Sequence, residues 1–177
     1  MVNEDVSFYI KLAKTKQNFR KVKLVSKYTT GIVLFVIILE AMFFFLNNGE
    51  WDGMLPINIW PYFLFMGFNA FCYVYTKNKR VQVTKNNYKK IERFIGLYVF
   101  SLAGFGVIIS LADQSGYNHL MIYTLIMLVS CSYFVLNKIQ ILIPITIAGL
   151  VLVAGLYFFQ GNTEEFRSQL LYLMALF

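Results

Sequence analysis

Five long apolar runs are separated by shorter polar stretches along the chain. They extend from about Tyr28 to Leu46, Pro56 to Tyr75, Phe94 to Ala112, His119 to Leu136 and Ile139 to Phe159. Each holds roughly twenty residues, the helical length that crosses about 30 Å of hydrocarbon. A β-barrel would instead show alternating segments of about ten residues, and these runs are continuous. The pattern predicts an all-α fold, a polytopic transmembrane helix bundle with five complete spans. The connectors are Asn47–Leu55, Thr76–Arg93, Asp113–Asn118, Asn137–Lys138 and Gln160–Arg167. A further apolar run, Ser168–Phe177, covers about 15 Å at the helical rise. It reads as a sixth span descending from the outer side and cut off in mid-membrane, a truncation. The other reading lays Phe166–Phe177 flat in the outer interface as a short amphipathic helix.

Composition agrees with this pattern. Of 177 residues, 58% are hydrophobic and 14% charged, too little polar surface to cover a soluble core of this size. Residues 1–27 are polar and basic and precede the first apolar run, so they do not form a cleavable signal peptide. They read as a cytoplasmic basic amphipathic segment, with Phe8, Leu12, Phe19 and Val22 interleaved among lysines, leading into a transmembrane domain at 28–177. Cys72 and Cys131 both fall inside apolar runs and read as free buried thiols.

Charge sets the orientation. Lys11, Lys14, Lys16, Arg20, Lys21, Lys23 and Lys27 precede the first span. Lys77, Lys79, Arg80, Lys85, Lys89, Lys90 and Arg93 lie between the second and third, and Lys138 in the turn before the fifth. Alternating spans put all of these on one side, with Arg167 opposite. Retention of Lys and Arg in short loops makes that side the cytoplasm, and the plasma (inner) membrane the expected location. Glu50, Asp52, Asp113, Glu164 and Glu165 fall outside, and Trp51, Trp60, Tyr62 and Tyr117 lie where an outer aromatic belt belongs. The net charge of +7 is thereby a topology signal, and no nucleic-acid partner is implied. The lipid bilayer is the first partner.

Candidate chemistry is sparse. Glu40 is the acidic residue well inside a span, where an unpaired carboxylate costs at least ~3 kcal/mol. It reads either as a ligand or proton site or as a protonated packing group. Asp113 and His119 flank an outer loop containing Tyr117. Together with Glu40 below and Asn58 in the second span, they form a ligand-binding set opening outward; the other reading is an ordinary hydrated loop with His119 capping the next helix. A metal site is not expected, because one histidine with scattered carboxylates is a poor donor set. Asn69, Ser130 and Ser132 read as interhelical hydrogen-bonding groups, and Gly106-x-x-x-Ser110 as a close-packing face. Pro56 and Pro144 are placed in first helical turns, where proline is tolerated. No nucleophile and base pair, paired carboxylates or phosphate loop is present, so no enzyme activity and no cofactor are expected. Lys16–Val22 matches Lys85–Ile91 in residue type at every position, which reads either as an internal duplication or, the reading preferred, as two basic helix starts at an anionic membrane surface.

One stretch carries a resemblance. Leu111-Ala112-Asp113-Gln114 leads through His119-Leu120 to Tyr123, and is followed by Leu136-Asn137-Lys138-Ile139-Gln140 and Pro144. This layout, over residues 28–177, resembles the N-terminal membrane region of bacterial signalling proteins, above all multi-span diguanylate cyclases. The resemblance implies about six helices before a cytoplasmic output domain, and dimeric signalling. The chain departs from the family in having no cyclase signature, so the output domain is absent from it. Membrane sensors of histidine kinases share the layout, which leaves the output type open. The function implied is a membrane-embedded sensory or anchoring domain, a homodimer answering a small-molecule or peptide ligand from the outer face or membrane. The alternative is a small oligomeric transporter or channel using Glu40.

Overall fold

Helix α1, Val2–Leu46, is a single helix of 45 residues. Its buried positions Leu12, Thr15, Phe19, Val22, Ser26 and Val33 recur at intervals of three and four, the spacing that keeps one stripe facing its neighbours. At 1.5 Å per residue it is about 67 Å long, more than twice a hydrocarbon core. The helix is therefore continuous through residue 27, where the sequence suggests a boundary, and both sides of that point pack into one core. A computed structural model describes residues 2–46, 60–78, 81–112, 133–136, 138–160 and 163–176.

The other helices among the described residues are α2 (Trp60–Lys77), α3 (Tyr88–Ala112), α4 (Lys138–Gln160) and α5 (Glu164–Leu176). Among the described residues there is no strand. Two helical stretches, Val6–Leu39 and Tyr88–Leu111, are long and apolar enough to cross a membrane, and Leu142–Phe158 is a shorter apolar helix. Helix α2 buries Pro61, Phe65, Asn69, Cys72 and Thr76, again one stripe. It packs chiefly on α1, while α3 touches α1, α2 and α4, and α5 folds back on α4.

Helix α3 divides the core. Ile91, Ile95, Tyr98, Val99, Leu102 and Ile109 join Phe19, Val22, Val33, Phe65, Cys72 and Phe134 in one apolar cluster. Ala103 and Val107, on another face of α3, meet Ala148, Leu152 and Leu156 of α4 and Phe166 of α5. The α3–α4 approach is tight at Gly155, where a Cβ would lie 2.6 Å from Leu111 Cδ1. Gly106 and Ser110 are buried as the small-residue spacing suggests, but this close contact is made by a glycine of α4.

Several boundaries differ from the sequence reading. Helix α3 begins at Tyr88, six residues before Phe94. A turn at 85–87 delivers it, with the Asn87 side chain accepting from the Thr84 amide at 2.8 Å and donating to the Gln82 carbonyl at 2.7 Å. Tyr133 is helical, but 134–136 are not, although the fourth run was expected to reach Leu136. Pro144 sits seven residues into α4, in the second turn, where its missing N–H deprives the residue 140 carbonyl of its helical donor. Helix α5 starts at Glu164, with the Thr163 hydroxyl accepting from the Phe166 amide at 3.3 Å. Two glutamates in that first turn complement the positive helix end. Its thirteen residues span about 20 Å, and Phe166 and Leu170, one turn apart, both pack on the α3–α4 cluster.

The paired segments 16–22 and 85–91 are not structurally equivalent. The first lies within α1, and the second contains a turn and the start of α3. Asn18 and Asn87, which occupy the same place in the two segments, bond to different partners.

Candidate functional site

Polar side chains buried in these helices are satisfied mostly by their own backbone. Thr15 donates to Lys11 O at 2.9 Å, Thr30 to Ser26 O at 2.7 Å and Thr76 to Cys72 O at 2.8 Å. Such back-bonds let a hydroxyl sit in an apolar environment at little cost. Two groups do otherwise and join separate parts of the fold.

The first is Asn18, on the buried stripe of α1 and 4% exposed. Its Nδ2 donates to Val135 O at 2.9 Å, and its Oδ1 accepts from Val135 N at 2.9 Å. One side-chain amide thus satisfies both backbone groups of a residue that has left helical geometry, where they have no ladder partner. One turn along α1, Lys21 Nζ donates to Tyr133 O and lies 5.0 Å from the Tyr133 ring centroid. Tyr133 is helical and 134–136 are not, so the ammonium meets a backbone carbonyl at the point where the chain leaves helical geometry. Phe134 is buried between these contacts and packs edge-on to Tyr98 at 6.2 Å. Asn18 and Lys21 thereby latch α1 to the 133–135 segment.

The second is the Asn69–Tyr98 pair between α2 and α3. Tyr98 Oη donates to Asn69 Oδ1 at 2.9 Å, and Asn69 Nδ2 donates to Phe65 O at 2.9 Å. Asn69 is fully buried and Tyr98 is 1% exposed. We expect Tyr98→Phe to lower unfolding free energy by ~1 kcal/mol, since interhelical bonds in membranes are individually modest. Adding Asn69→Leu should recover part of that loss by removing the stranded acceptor. Unfolding in detergent would test this, and an equal or larger loss in the double variant would contradict it.

Below the latch lies a cleft of about 400 Å3 between α1, the start of α3 and residues 135–136. Ile10, Ile95 and Val135 supply apolar wall, while Lys11, Lys14 and Glu92 supply charge. Lys11 and Lys14 are one turn apart on α1 and exposed. The adjoining turn is fastened to α1 by Lys85 Nζ, which donates to Tyr9 Oη at 3.1 Å, and by Phe8 edge-on to Tyr88 at 5.3 Å. The volume falls in the range of ordinary small-ligand sites.

Three aromatic rings mark a common level just past the cleft. Phe19 of α1 lies 6.4 Å from Phe94 of α3, which lies 4.7 Å from Tyr75 of α2. Phe94 and Tyr75 are where the third and second apolar runs meet the basic side, so the matching level on α1 is Phe19 rather than Tyr28.

The residues singled out from the sequence fall elsewhere. Asp113, Tyr117 and His119, together with Asn58, lie outside the described residues. Glu40 belongs to α1, but its side chain is also outside what the structure describes. Ser130, Ser132, Pro56 and Cys131 lie outside too, whereas Cys72 is a buried free thiol. Among the described residues no three of His, Cys, Asp and Glu gather as a metal site would require.

Sequence reasoning missed the latch and the cleft. Asn18 had a visible signal, an amide on the apolar stripe, but its partner is 117 residues away and is a backbone.

Comparison with known proteins gives no match: no family model, no curated protein and no solved structure corresponds to the chain.

Proposed function

We propose that this chain is a membrane-embedded sensory or anchoring domain of a signalling protein. It crosses the plasma membrane five times with its N-terminus in the cytoplasm, and α5 begins a sixth crossing. Support for the bilayer comes from the outside of the bundle. Phe35, Leu64, Phe71, Leu97, Leu142, Leu150 and Phe158 are all exposed, and water would penalise so much apolar surface. The basic residues assign the cytoplasmic side.

The observation that carries the sensory reading is the length and continuity of α1. One rod joins the level of Glu40 to the basic end, where Asn18 and Lys21 grip the 133–135 segment. A ligand entering from the outer face and preferring one bundle arrangement shifts its population. A continuous helix carries the displacement to the cytoplasmic end, where a dimeric output reads it. Asp113, Tyr117, His119 and Asn58, with Glu40, are the proposed contacts.

Single cysteines in a background lacking Cys72 and Cys131 test the placement. A cysteine at Ser7 should react with a membrane-impermeant maleimide added from the cytoplasmic side. One at Leu24, which the sequence pattern alone assigns to the cytoplasmic segment, should be protected, because it lies beyond the Phe19 level. Labelling at Ser7 from outside would reverse the orientation, and free labelling at Leu24 would move the bilayer boundary. Proteoliposome flux separates the two classes of function. Solute flux that falls on Glu40→Gln would replace the sensor by a transporter, whereas ligand-dependent thermal shift without flux supports the sensor.

A further inference from the structure

We propose that the cleft between α1, α3 and residues 135–136 is a binding site for a phosphate-ester anion carrying an apolar group, its natural source being an anionic lipid headgroup of the cytoplasmic leaflet. The chemistry of the walls points to this class. Lys11 and Lys14 project from successive turns into one cavity, and Glu92 opposite leaves the charge set net positive. The Glu92 carboxylate lowers the positive charge of the set and so disfavours a bare, highly charged anion. A singly charged ester that also covers Ile10 and Ile95 is the better complement. Thr15 contributes little polar capacity, because its hydroxyl is spent on Lys11 O. Asn18 is likewise engaged with Val135, so the two lysines are the cationic recognition groups, with the Ser7 hydroxyl as a further polar group in the lining.

Depth gives the second, independent argument. Lys14 is five residues and Lys11 eight residues before Phe19, or about 7 and 12 Å along the helix. The headgroup layer beyond the ~30 Å hydrocarbon core is about 5–8 Å thick on each side. Lys14 therefore stands at the outer part of that layer and Lys11 beyond it, within reach of the layer through its long side chain, while Ile95, next to Phe94, is the wall nearest the acyl boundary. Basic pockets between helices at the cytoplasmic face are suited to anionic headgroups. Because Asn18 lines the same cleft, an occupant also packs beside the α1 latch and should stabilise it.

The site rests on the bilayer placement proposed above, but not on any output domain. The experiment uses the full chain in nanodiscs of phosphatidylcholine with or without phosphatidylglycerol, and in detergent with or without glycerol phosphate. Thermal unfolding and native mass spectrometry of retained lipid are the readouts. Wild type should unfold at higher temperature with phosphatidylglycerol and retain it. The pair Lys11→Gln and Lys14→Gln should cut retention on the order of tenfold and abolish the shift. The pair Lys16→Gln and Lys23→Gln, equal in charge but outside the cleft, should leave both largely intact. Glu92→Gln should raise retention. A shift with glycerol phosphate as well would make a free ester the source, and a shift with lipid alone would make it the membrane. Equal losses in the two lysine pairs, or no shift in wild type with either probe, would overturn the site. Failure of the orientation would appear in the labelling experiment instead, since the detergent arm does not depend on which leaflet the cleft faces.

Discussion

Asn18→Leu is expected to lower unfolding free energy by about 2–3 kcal/mol. It removes two hydrogen bonds at once, each contributing roughly 0.5–1.5 kcal/mol, and strands the donor and acceptor of Val135. Leucine nearly matches the volume, so packing changes little and the loss reports the bonds. Asn18→Asp should be at least as damaging. Its carboxylate still accepts from Val135 N, but it places a second acceptor against Val135 O, now 2.9 Å from a donor. Asn18→Gln keeps both groups on a longer stem and should fall between wild type and leucine. Thermal or denaturant unfolding in a single detergent would rank the series. If leucine leaves the midpoint unchanged, water satisfies Val135 equally well and the latch does not hold α1. If the sensory reading is right, the same substitution should also uncouple the cytoplasmic end from ligand at the outer side.

The second large effect is expected at Gly155. A Cβ there meets Leu111 Cδ1 at 2.6 Å and Cδ2 at 2.9 Å, but both atoms end a flexible side chain. Gly155→Ala should therefore be close to neutral, because re-orienting Leu111 is offset by up to ~1 kcal/mol of helix propensity gained over glycine. Gly155→Leu is different. Its added carbons enlarge the overlap with Leu111 beyond what one rotamer change relieves and press α3 from α4, costing about 1–3 kcal/mol. The loss should spread to the cluster of Ala103, Val107, Ala148, Leu152 and Leu156. Combining Gly155→Leu with Leu111→Ala should restore a substantial share of stability. If Leu111→Ala gives no relief, the crowding is not between these two residues.

The helical class was legible in the residues, whereas among the described residues two stretches, Val6–Leu39 and Tyr88–Leu111, are long and apolar enough to cross a membrane, against the five spans expected. Apolar runs of helical length, the basic clustering and the lack of alternation left one class of backbone that satisfies its own hydrogen bonds in lipid. Asn69 was also legible as an interhelical group, and it bonds Tyr98. The start of α5 could have been read more fully. Thr163 followed by Glu164 and Glu165 is a helix N-terminus signal, yet hydropathy assigned these polar residues to a connector. The same bias affected α1. Lysines made residues 1–27 look like a separate segment, although Leu12, Thr15, Phe19, Val22 and Ser26 already carried the stripe that continues to Val33. Mean hydropathy averages around the helix, whereas packing depends on one face.

The candidate sites divide differently. Glu40, Asp113, Tyr117, His119 and Asn58 were chosen for the cost or chemistry of their own side chains, properties each residue carries in the sequence. The latch, the cleft and the crowding at Gly155 depend on pairs far apart in the chain: Asn18 with Val135, Lys14 with Glu92, Leu111 with Gly155. Periodicity tells which face of a helix is apolar, but it leaves open the neighbour, the axial offset and the crossing point. Those come from the mutual fit of helices. That fit set Phe19 level with Phe94, placed two lysines at one cavity, and brought a backbone segment within reach of a single amide.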